Sequence, residues 1–167
     1  MSKTNICVIG LSQQFADDVC KELSKRLDMY YANVEQIIEF ELIDVDKMQE
    51  LCGMEYFNKK EFSVIKRICT YENTLINLNF NKLNSDKILE VIANNCLIIY
   101  LRIQRNDYKK QMVVEDLSYN EQKINLDVYH DRDNIIKNIA DIIIECTYDN
   151  MSDFIDNIIE SLLKYYT

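Results

Sequence analysis

The sequence predicts an α/β protein: a three-layer α/β/α arrangement around a five-stranded parallel sheet. Short apolar runs at residues 5–9, 74–78 and 95–101 are typical of strands that are buried on both faces, as the strands of parallel sheets are. Stretches with apolar residues at helical spacing lie between these runs. Because strands and helices alternate along the chain, we expect one domain over residues 1–167 with helices on both sides of the sheet.

Composition supports a single globular domain and argues against several partners. The chain has 167 residues, 48% of them hydrophobic and 28% charged, which is typical of a soluble protein with a sizeable core. Its net charge of −9 lacks the basic footprint that nucleic acids and anionic membranes require, so we expect neither as a partner. No targeting segment or membrane span is apparent in the sequence, which predicts a cytoplasmic location.

The cysteines are predicted to be free thiols. None forms a CxxC pair, and several lie in apolar runs, which favours buried thiols in a reducing compartment. The single histidine, His130, has no neighbours at ligand spacing, so we expect no metal site. The cysteines are Cys7, Cys20, Cys52, Cys69, Cys96 and Cys146.

The first strand and helix form the most informative segment. The strand at residues 5–9 ends at Gly10, one of only two glycines in the chain, and a helix is predicted over residues 16–27. A strand, a glycine turn and a helix in this order are the scaffold of a phosphate-binding loop. The turn, LSQQFADD at residues 11–18, has the place of such a loop and almost none of its chemistry.

The remaining elements rest on local signals. The chain has no proline, so its turns depend on Asn and Asp. A short strand is predicted at residues 29–32; Asn33 can then cap the next helix, with Gln36 at the capping-box position. Residues 116–131 are polar and lack periodicity, which predicts a mobile, lid-like segment. The other predicted elements are helices at 44–51 and 55–71, separated by Gly53, a strand at 74–78, a helix at 85–93, a strand at 95–101, helices at 104–114 and 134–140, a strand at 141–146 and a helix from residue 150.

Four segments, in this order, resemble motifs of the shikimate kinases, small P-loop kinases of the nucleoside-monophosphate kinase type. NICVIG and KELSKRL flank the first loop, YANVEQIIE lies where the family has FIDTDxxIE, GMEYFNKKE is similar to GExxFRxxE, and RDNIIKNIAD resembles RxPxYxxxAD. The resemblance implies a P-loop kinase-like fold over nearly the whole chain. It also implies transfer of the ATP γ-phosphate to a hydroxyl, with Mg²⁺ as the metal.

The nucleotide loop departs from the family pattern, GxxGxGK[ST][ST]. In that pattern the glycines close the backbone around the phosphates, the lysine neutralises the phosphoryl group and the hydroxyl binds Mg²⁺. The matching positions here are Gly10, Gln13 and Phe15 for the glycines, Ala16 for the lysine, and Asp17 and Asp18 for the hydroxyl residues. A carboxylate about 4 Å from an anion costs roughly 4 kcal/mol at an effective dielectric constant of 20, so this loop is predicted to be degenerate.

The substrate side is also altered. The family has two aspartates that orient substrate hydroxyl groups; Asn33 is at the first of these positions and Glu35 is at the second. The family arginine that binds the substrate carboxylate aligns with Asn58. Arg132 alone remains at a substrate-contact position, and a solvated surface residue is the alternative. For Glu35 and Glu61 the alternative to a role at the substrate site is that each lies on a solvated helix face. Glu35, Asn58 and Arg132 are therefore interpreted as vestigial substrate-binding positions.

These departures favour a catalytically degenerate shikimate kinase-like protein, a pseudokinase that binds a protein partner or forms a homodimer and uses no cofactor. Tyrosines at Tyr30, Tyr31, Tyr119, Tyr129, Tyr165 and Tyr166 are candidate interface residues, or half-buried residues at the rim of the core. The alternative is an active shikimate kinase, or a related small-molecule kinase, that uses ATP and Mg²⁺. A third hypothesis, an enzyme with a catalytic cysteine, has no Cys–His pairing to support it.

Overall fold

The structure is a computed structural model that describes residues 3–10, 13–42, 44–83, 85–104, 106–107, 119–146 and 150–167. Its five strands form one parallel sheet in the order β2-β3-β1-β4-β5, flanked by helices in a three-layer α/β fold, which confirms the predicted fold class. The strands are β1 (Asn5–Gly10), β2 (Tyr30–Asn33), β3 (Thr74–Asn79), β4 (Cys96–Arg102) and β5 (Ile142–Glu145). The helices are α1 (Gln13–Arg26), α2 (Val34–Leu42), α3 (Val45–Ile68), α4 (Asp86–Asn95), α5 (Tyr119–Ile139) and α6 (Met151–Tyr166), with a 3₁₀ turn at Phe80–Lys82.

The chain forms two compact units, Met1–Ile98 and Ile99–Thr167. In the first unit every side chain of β1 is buried, as expected for a strand covered on both faces, and β1 pairs in parallel with β3 from Ile6↔Leu75 to Gly10↔Asn79. In the second unit, β5 alternates buried and exposed residues and so has one covered face. None of the helices within the described ranges has both the length and the apolar character needed to cross a membrane.

Asn and Asp supply the turns and caps of this chain. The predicted cap is confirmed, because the backbone N–H of Gln36 donates to Asn33 Oδ1 at 3.1 Å. Asp28 and Asn73 adopt positive φ angles of 52° and 53°, and Asn73 Nδ2 donates to the Asp28 carbonyl at 2.9 Å. Short polar side chains therefore take the left-handed positions that glycine would otherwise occupy.

The kink in α3 lies at Gly53, as the predicted break between two helices requires. Gly53 has φ 79° and ψ 164°, a conformation that belongs almost entirely to glycine, although a Cβ there would meet nothing within 4 Å. We therefore expect Gly53→Ala to lower the free energy of unfolding by about 1–3 kcal/mol through backbone strain, measured by urea denaturation. Glu50→Ala, an exposed position of the same helix, should change it by less than about 0.5 kcal/mol; equal effects would contradict the strain.

The helix α5 is longer than the sequence predicted. It begins at Tyr119 and so covers most of the segment that we predicted to be lid-like; residues 116–118 lie outside the described residues, and the mobility of the segment stays a prediction. Its buried positions include Tyr129, Asp133 and Ile136, which follow helical spacing, but the central one is charged and hides the apolar period. The helix predicted at residues 104–114 falls largely outside the described residues.

The thiols are free, and five of the six are buried. The expectation of burial is wrong for Cys52, which is exposed on α3 near the kink. The predicted exposure of Tyr129 is also wrong: its side chain is buried and its hydroxyl donates to the Ile103 carbonyl at 2.5 Å. A tyrosine with a polar hydroxyl and a large ring satisfies both core and surface patterns, which is why the sequence alone did not place it.

Candidate functional site

The candidate site lies where β1, β2 and β3 end, because the carboxyl ends of parallel strands meet at one edge of a sheet. Gly10 ends β1 opposite Asn79 of β3, and Asn33 ends β2 opposite Asn77 of β3. Residues 11 and 12 lie outside the described residues. α1 begins at Gln13, so the positions matching the second and third family glycines are helical.

Asp17, in the second turn of α1, is at the centre of a polar cluster. Asp17 is only 7% exposed. The Tyr31 hydroxyl and the Asn33 amide both donate to Asp17 Oδ1, and the distance from Asn33 Nδ2 is 2.8 Å. Lys21 Nζ lies 2.5 Å from Asp17 Oδ2, and Asn77 Nδ2 donates to the Tyr31 hydroxyl at 3.3 Å. These five residues, here named the Asp17 cluster, join α1 to β2 and β3.

The pKa shifts in the Asp17 cluster have opposite directions. Burial would raise the pKa of Asp17, but hydrogen bonds from Lys21, Tyr31 and Asn33 outweigh it and hold the pKa below its usual value. Burial, and next the hydrogen bond to Asp17, raise the pKa of the Tyr31 hydroxyl. Near neutral pH the cluster therefore contains an ionised carboxylate that accepts from a neutral phenol.

The neighbours of Asp17 in α1 have different surroundings. Ala16, at the position of the family lysine, is buried and carries no charge. Asp18 is exposed and accepts a hydrogen bond from Gln14 Nε2 at 3.1 Å, within the same helix. Phe15 is partly exposed. The hydrogen bond between Gln14 and Asp18 thus lies within α1, at i,i+4 spacing.

A small cavity of about 210 Å³ opens beside the Asp17 cluster. Its lining contains three carboxylates and three amides, and among these described residues there is no cationic side chain: Gln14, Asp17, Asn33, Glu35, Gln36 and Glu39. Such a lining offers acceptors for hydroxyl groups or cations. It opposes an anion, since each carboxylate at about 4 Å would cost roughly 4 kcal/mol at an effective dielectric constant of 20.

A larger cavity of about 440 Å³ shares Glu35 and Glu39 with the small one and adds one cation. Lys82 Nζ lies 2.7 Å from Glu61 Oε1 and 5.6 Å from the centre of the Phe57 ring. The lining consists of Glu35, Ile38, Glu39, Asp44, Asp46, Phe57 and Lys82. Its lining offers carboxylate acceptors such as Glu35 and one ammonium group, that of Lys82, which is paired with Glu61.

Lys82 is a candidate site residue that the sequence analysis missed, and Glu61 was misjudged with it. The solvated helix face considered for Glu61 is wrong, because Glu61 is 4% exposed. It is paired with a lysine that lies beyond the next strand, on the 3₁₀ turn Phe80–Lys82. The only signal was the place of Lys82, three residues after the end of β3.

Two of the three vestigial substrate positions, Glu35 and Asn58, line different cavities of the first unit. Glu35 is half-buried in the first turn of α2, where Asn79 Nδ2 donates to Glu35 Oε2 at 3.4 Å. Asn58 is exposed and lines a separate cavity of about 180 Å³ with Glu61 and Phe62. Arg132 lies on α5, in the second unit, and is partly exposed. Within the described part of the chain, no group of three or more His, Cys, Asp or Glu side chains is placed to hold a metal ion.

Known proteins similar to this chain include shikimate kinases. The Dehalococcoides mccartyi shikimate kinase is 25% identical over 112 residues, 66% of this chain, and the match spans slightly less than two thirds (64%) of that relative's own length. The Clostridium botulinum shikimate kinase is 24% identical over 87% of this chain and 89% of that protein. The solved shikimate kinase from Acinetobacter baumannii in complex with shikimate has a TM-score of 0.82 at 16% identity, covering 98% of this chain and 94% of that one.

The family is assigned by sequence as well as by fold. The sequence model described as "Shikimate kinase" matches residues 18–163, which is most of the chain. The match begins just after residues 10–17, the segment that includes most of the nucleotide-loop positions. The chain belongs to the shikimate kinase family.

Proposed function

We propose that this shikimate kinase-like protein does not transfer phosphate through a nucleotide loop and acts as a binding or regulatory module. The observation that carries the proposal is Asp17. It occupies the position that aligns with the family's Mg²⁺-binding hydroxyl, yet its carboxylate is buried and accepts hydrogen bonds from Tyr31 and Asn33. An ionised carboxylate in this place repels a triphosphate, and its oxygens already accept from Tyr31, Asn33 and Lys21.

The first turn of α1 also supports the proposal. A phosphate-binding loop needs non-helical backbone whose N–H groups converge on the phosphates. Here α1 already covers the positions that correspond to the second and third glycines, Gln13 and Phe15. Ala16 supplies no cation, so the residues described do not fit ATP in the family manner, and we derive no phosphoryl-transfer step from them.

The second candidate is an active kinase of shikimate or of a related small molecule, with ATP and Mg²⁺. Family membership and the names of the relatives support this candidate better than the first. The larger cavity fits it in part, since Glu35 can accept from hydroxyl groups, although Lys82 is already paired with Glu61. The two candidates make opposite predictions for ATP.

Calorimetric titration with ATP and Mg²⁺ tests the proposal directly. We expect no saturable heat, because the loop lacks its lysine and presents carboxylates. The Clostridium botulinum shikimate kinase, titrated in the same buffer, serves as the positive control. A dissociation constant in the micromolar range for this chain would overturn the proposal.

A coupled assay with ATP and shikimate tests the second candidate separately. Activity at background level supports the proposal. Phosphate transfer that Arg132→Ala abolishes would instead establish the kinase, because Arg132 is the family arginine that this chain keeps.

A protein partner or a homodimer is the interaction that we propose for the binding module. Support comes from large exposed side chains, among them Phe40 on α2 (86% exposed), Tyr30 on β2 (75% exposed) and the Tyr165–Tyr166 pair at the end of α6. The buried thiols are consistent with the proposed cytoplasmic location. Light scattering distinguishes a homodimer from a monomer that binds another protein.

A further inference from the structure

Two thiols outside the candidate site lie against each other in the core of the first unit. Cys69 follows the last residue of α3, and Cys96 is the first residue of β4. The Cys96 thiol donates toward the Cys69 sulfur, and the two Sγ atoms are 4.0 Å apart. A disulfide has an S–S distance of about 2.05 Å, so an approach of roughly 2 Å would join them.

We propose that Cys69 and Cys96 form a dithiol–disulfide pair, a reversible modification site for hydroperoxides. The pair closes a segment whose two ends are 27 residues apart and ties the end of α3 to the start of β4. Nothing in this inference depends on whether the chain binds ATP.

The two ends of the pair have unequal freedom. Cys96 is fully buried at the start of a strand in the sheet. Cys69 is followed by four exposed residues, 70–73, which turn the chain from α3 into β3. The end of α3 can therefore move toward β4 while the sheet stays in place.

The reaction proceeds in two balanced steps. The Cys69 thiolate attacks the hydroperoxide; the O–O bond breaks, and sulfenic acid and an alcohol (water, for hydrogen peroxide) result after protonation. The Cys96 sulfur then attacks the Cys69 sulfur, the S–S bond forms, and the sulfenic oxygen leaves as water. Two thiols lose two electrons and two protons, and the hydroperoxide accepts both.

Cys69 is the better attacking thiol of the pair. The hydrogen bond from Cys96 lowers the pKa of the Cys69 thiol despite its burial. Burial raises the pKa values of Cys7 and Cys20, the other two thiols of the buried core in this unit. Thiolate character therefore favours Cys69 among these neighbours.

The experiment uses the full chain with Cys52→Ser, which removes the exposed thiol that would react first and join two molecules. The folded protein is treated with hydrogen peroxide, the remaining thiols are alkylated in denaturant, and non-reduced peptides are mapped by mass spectrometry. We expect one linked peptide pair, Cys69–Cys96, with three of the five thiols still alkylated and full reversal by dithiothreitol.

Controls separate proximity from general oxidation. Cys146→Ser, which removes a buried thiol of the second unit, should leave the linked pair unchanged, and the protein oxidised in urea should give mixed pairs. The mapping needs neither Cys69 nor Cys96 replaced, so it does not depend on a variant that fails to fold. Over-oxidation of Cys69 without a link, no loss of thiols, or a link from Cys7 instead would each overturn the proposal.

Discussion

Replacing Asp133 by alanine should lower the free energy of unfolding by about 3–5 kcal/mol. Asp133 is 3% exposed on α5 and accepts from the Tyr100 hydroxyl at 2.8 Å and from Arg102 Nε at 2.9 Å. Lys137 Nζ, one turn further along α5, lies 2.7 Å from its second oxygen. The carboxylate thus joins α5 to β4 within the second unit.

The large effect follows from what the variant leaves behind. Burial would raise the pKa of Asp133, but the hydrogen bonds from Arg102, Lys137 and Tyr100 outweigh it, so the pKa is low and the group is ionised at neutral pH. Without this carboxylate the fully buried Tyr100 hydroxyl loses this acceptor, and of its two ion pairs Arg102 retains the more exposed one, with Glu145. Removing one side of a buried ion pair costs more than the pair contributes, because the groups desolvated around it remain.

Glu145 provides the matched control for Asp133. It pairs with the same arginine, with Arg102 Nη1 2.7 Å from Glu145 Oε1, but its side chain is exposed. Glu145→Ala should therefore lower the free energy of unfolding by less than about 1 kcal/mol in the same urea denaturation series. Equal losses in the two variants would mean that burial does not distinguish the two carboxylates.

Local signals allowed much of the fold to be predicted. Asn33 and Gln36 have the spacing of a capping box, and Gly53 interrupts two helical patterns; the structure places a cap and a kink there because both depend on a few adjacent residues. The beginning of α5 has a mostly polar sequence, so periodicity did not reveal it. Boundaries that rest on tertiary burial are not visible in one sequence.

The candidate site was predictable in position but not in its contacts. The resemblance placed Asp17 in the nucleotide loop and Glu35 on the substrate side. Their partners are side chains far apart in sequence: Tyr31 on β2 for Asp17, and Asn79 on β3 for Glu35. Pairing across this distance has no periodic signature, so a single sequence cannot supply it.

Asp17→Ala should lower the free energy of unfolding by about 2–3 kcal/mol at neutral pH, measured by urea denaturation. The variant removes the acceptor that the Tyr31 hydroxyl and the buried Asn33 amide share, and leaves the amide with a longer hydrogen bond, 3.3 Å, to the Tyr31 oxygen. Asp18→Ala is the adjacent control: Asp18 is exposed and accepts from Gln14 within the same helix, so the loss in the free energy of unfolding there should be below about 0.5 kcal/mol.

The pH dependence of stability gives the same prediction a second measurement. The pKa of Asp17 is lower in the folded protein than the value of about 3.9 expected when unfolded, so the unfolded chain binds more protons between the two values. Stability from Asp17 is therefore fully present above about pH 5 and is lost as the pH falls through the folded pKa. The difference in the free energy of unfolding between wild type and Asp17→Asn should become smaller toward acid pH. A difference that does not change with pH would contradict the low pKa of Asp17.

A loss of stability in Asp17→Ala bears on function because it would mean that the Asp17 carboxylate stabilises the fold. If Asp17 stabilises the fold through Tyr31 and Asn33, its oxygens are already used and are not available to a nucleotide-bound cation. Asp17→Ala also removes the charge that opposes a triphosphate. It restores neither the family lysine at the position of Ala16 nor the glycines at the positions of Gln13 and Phe15. Asp17→Ala should therefore remain without saturable ATP binding in calorimetry, and micromolar binding by this variant would mean that Asp17 alone blocks an otherwise competent nucleotide site.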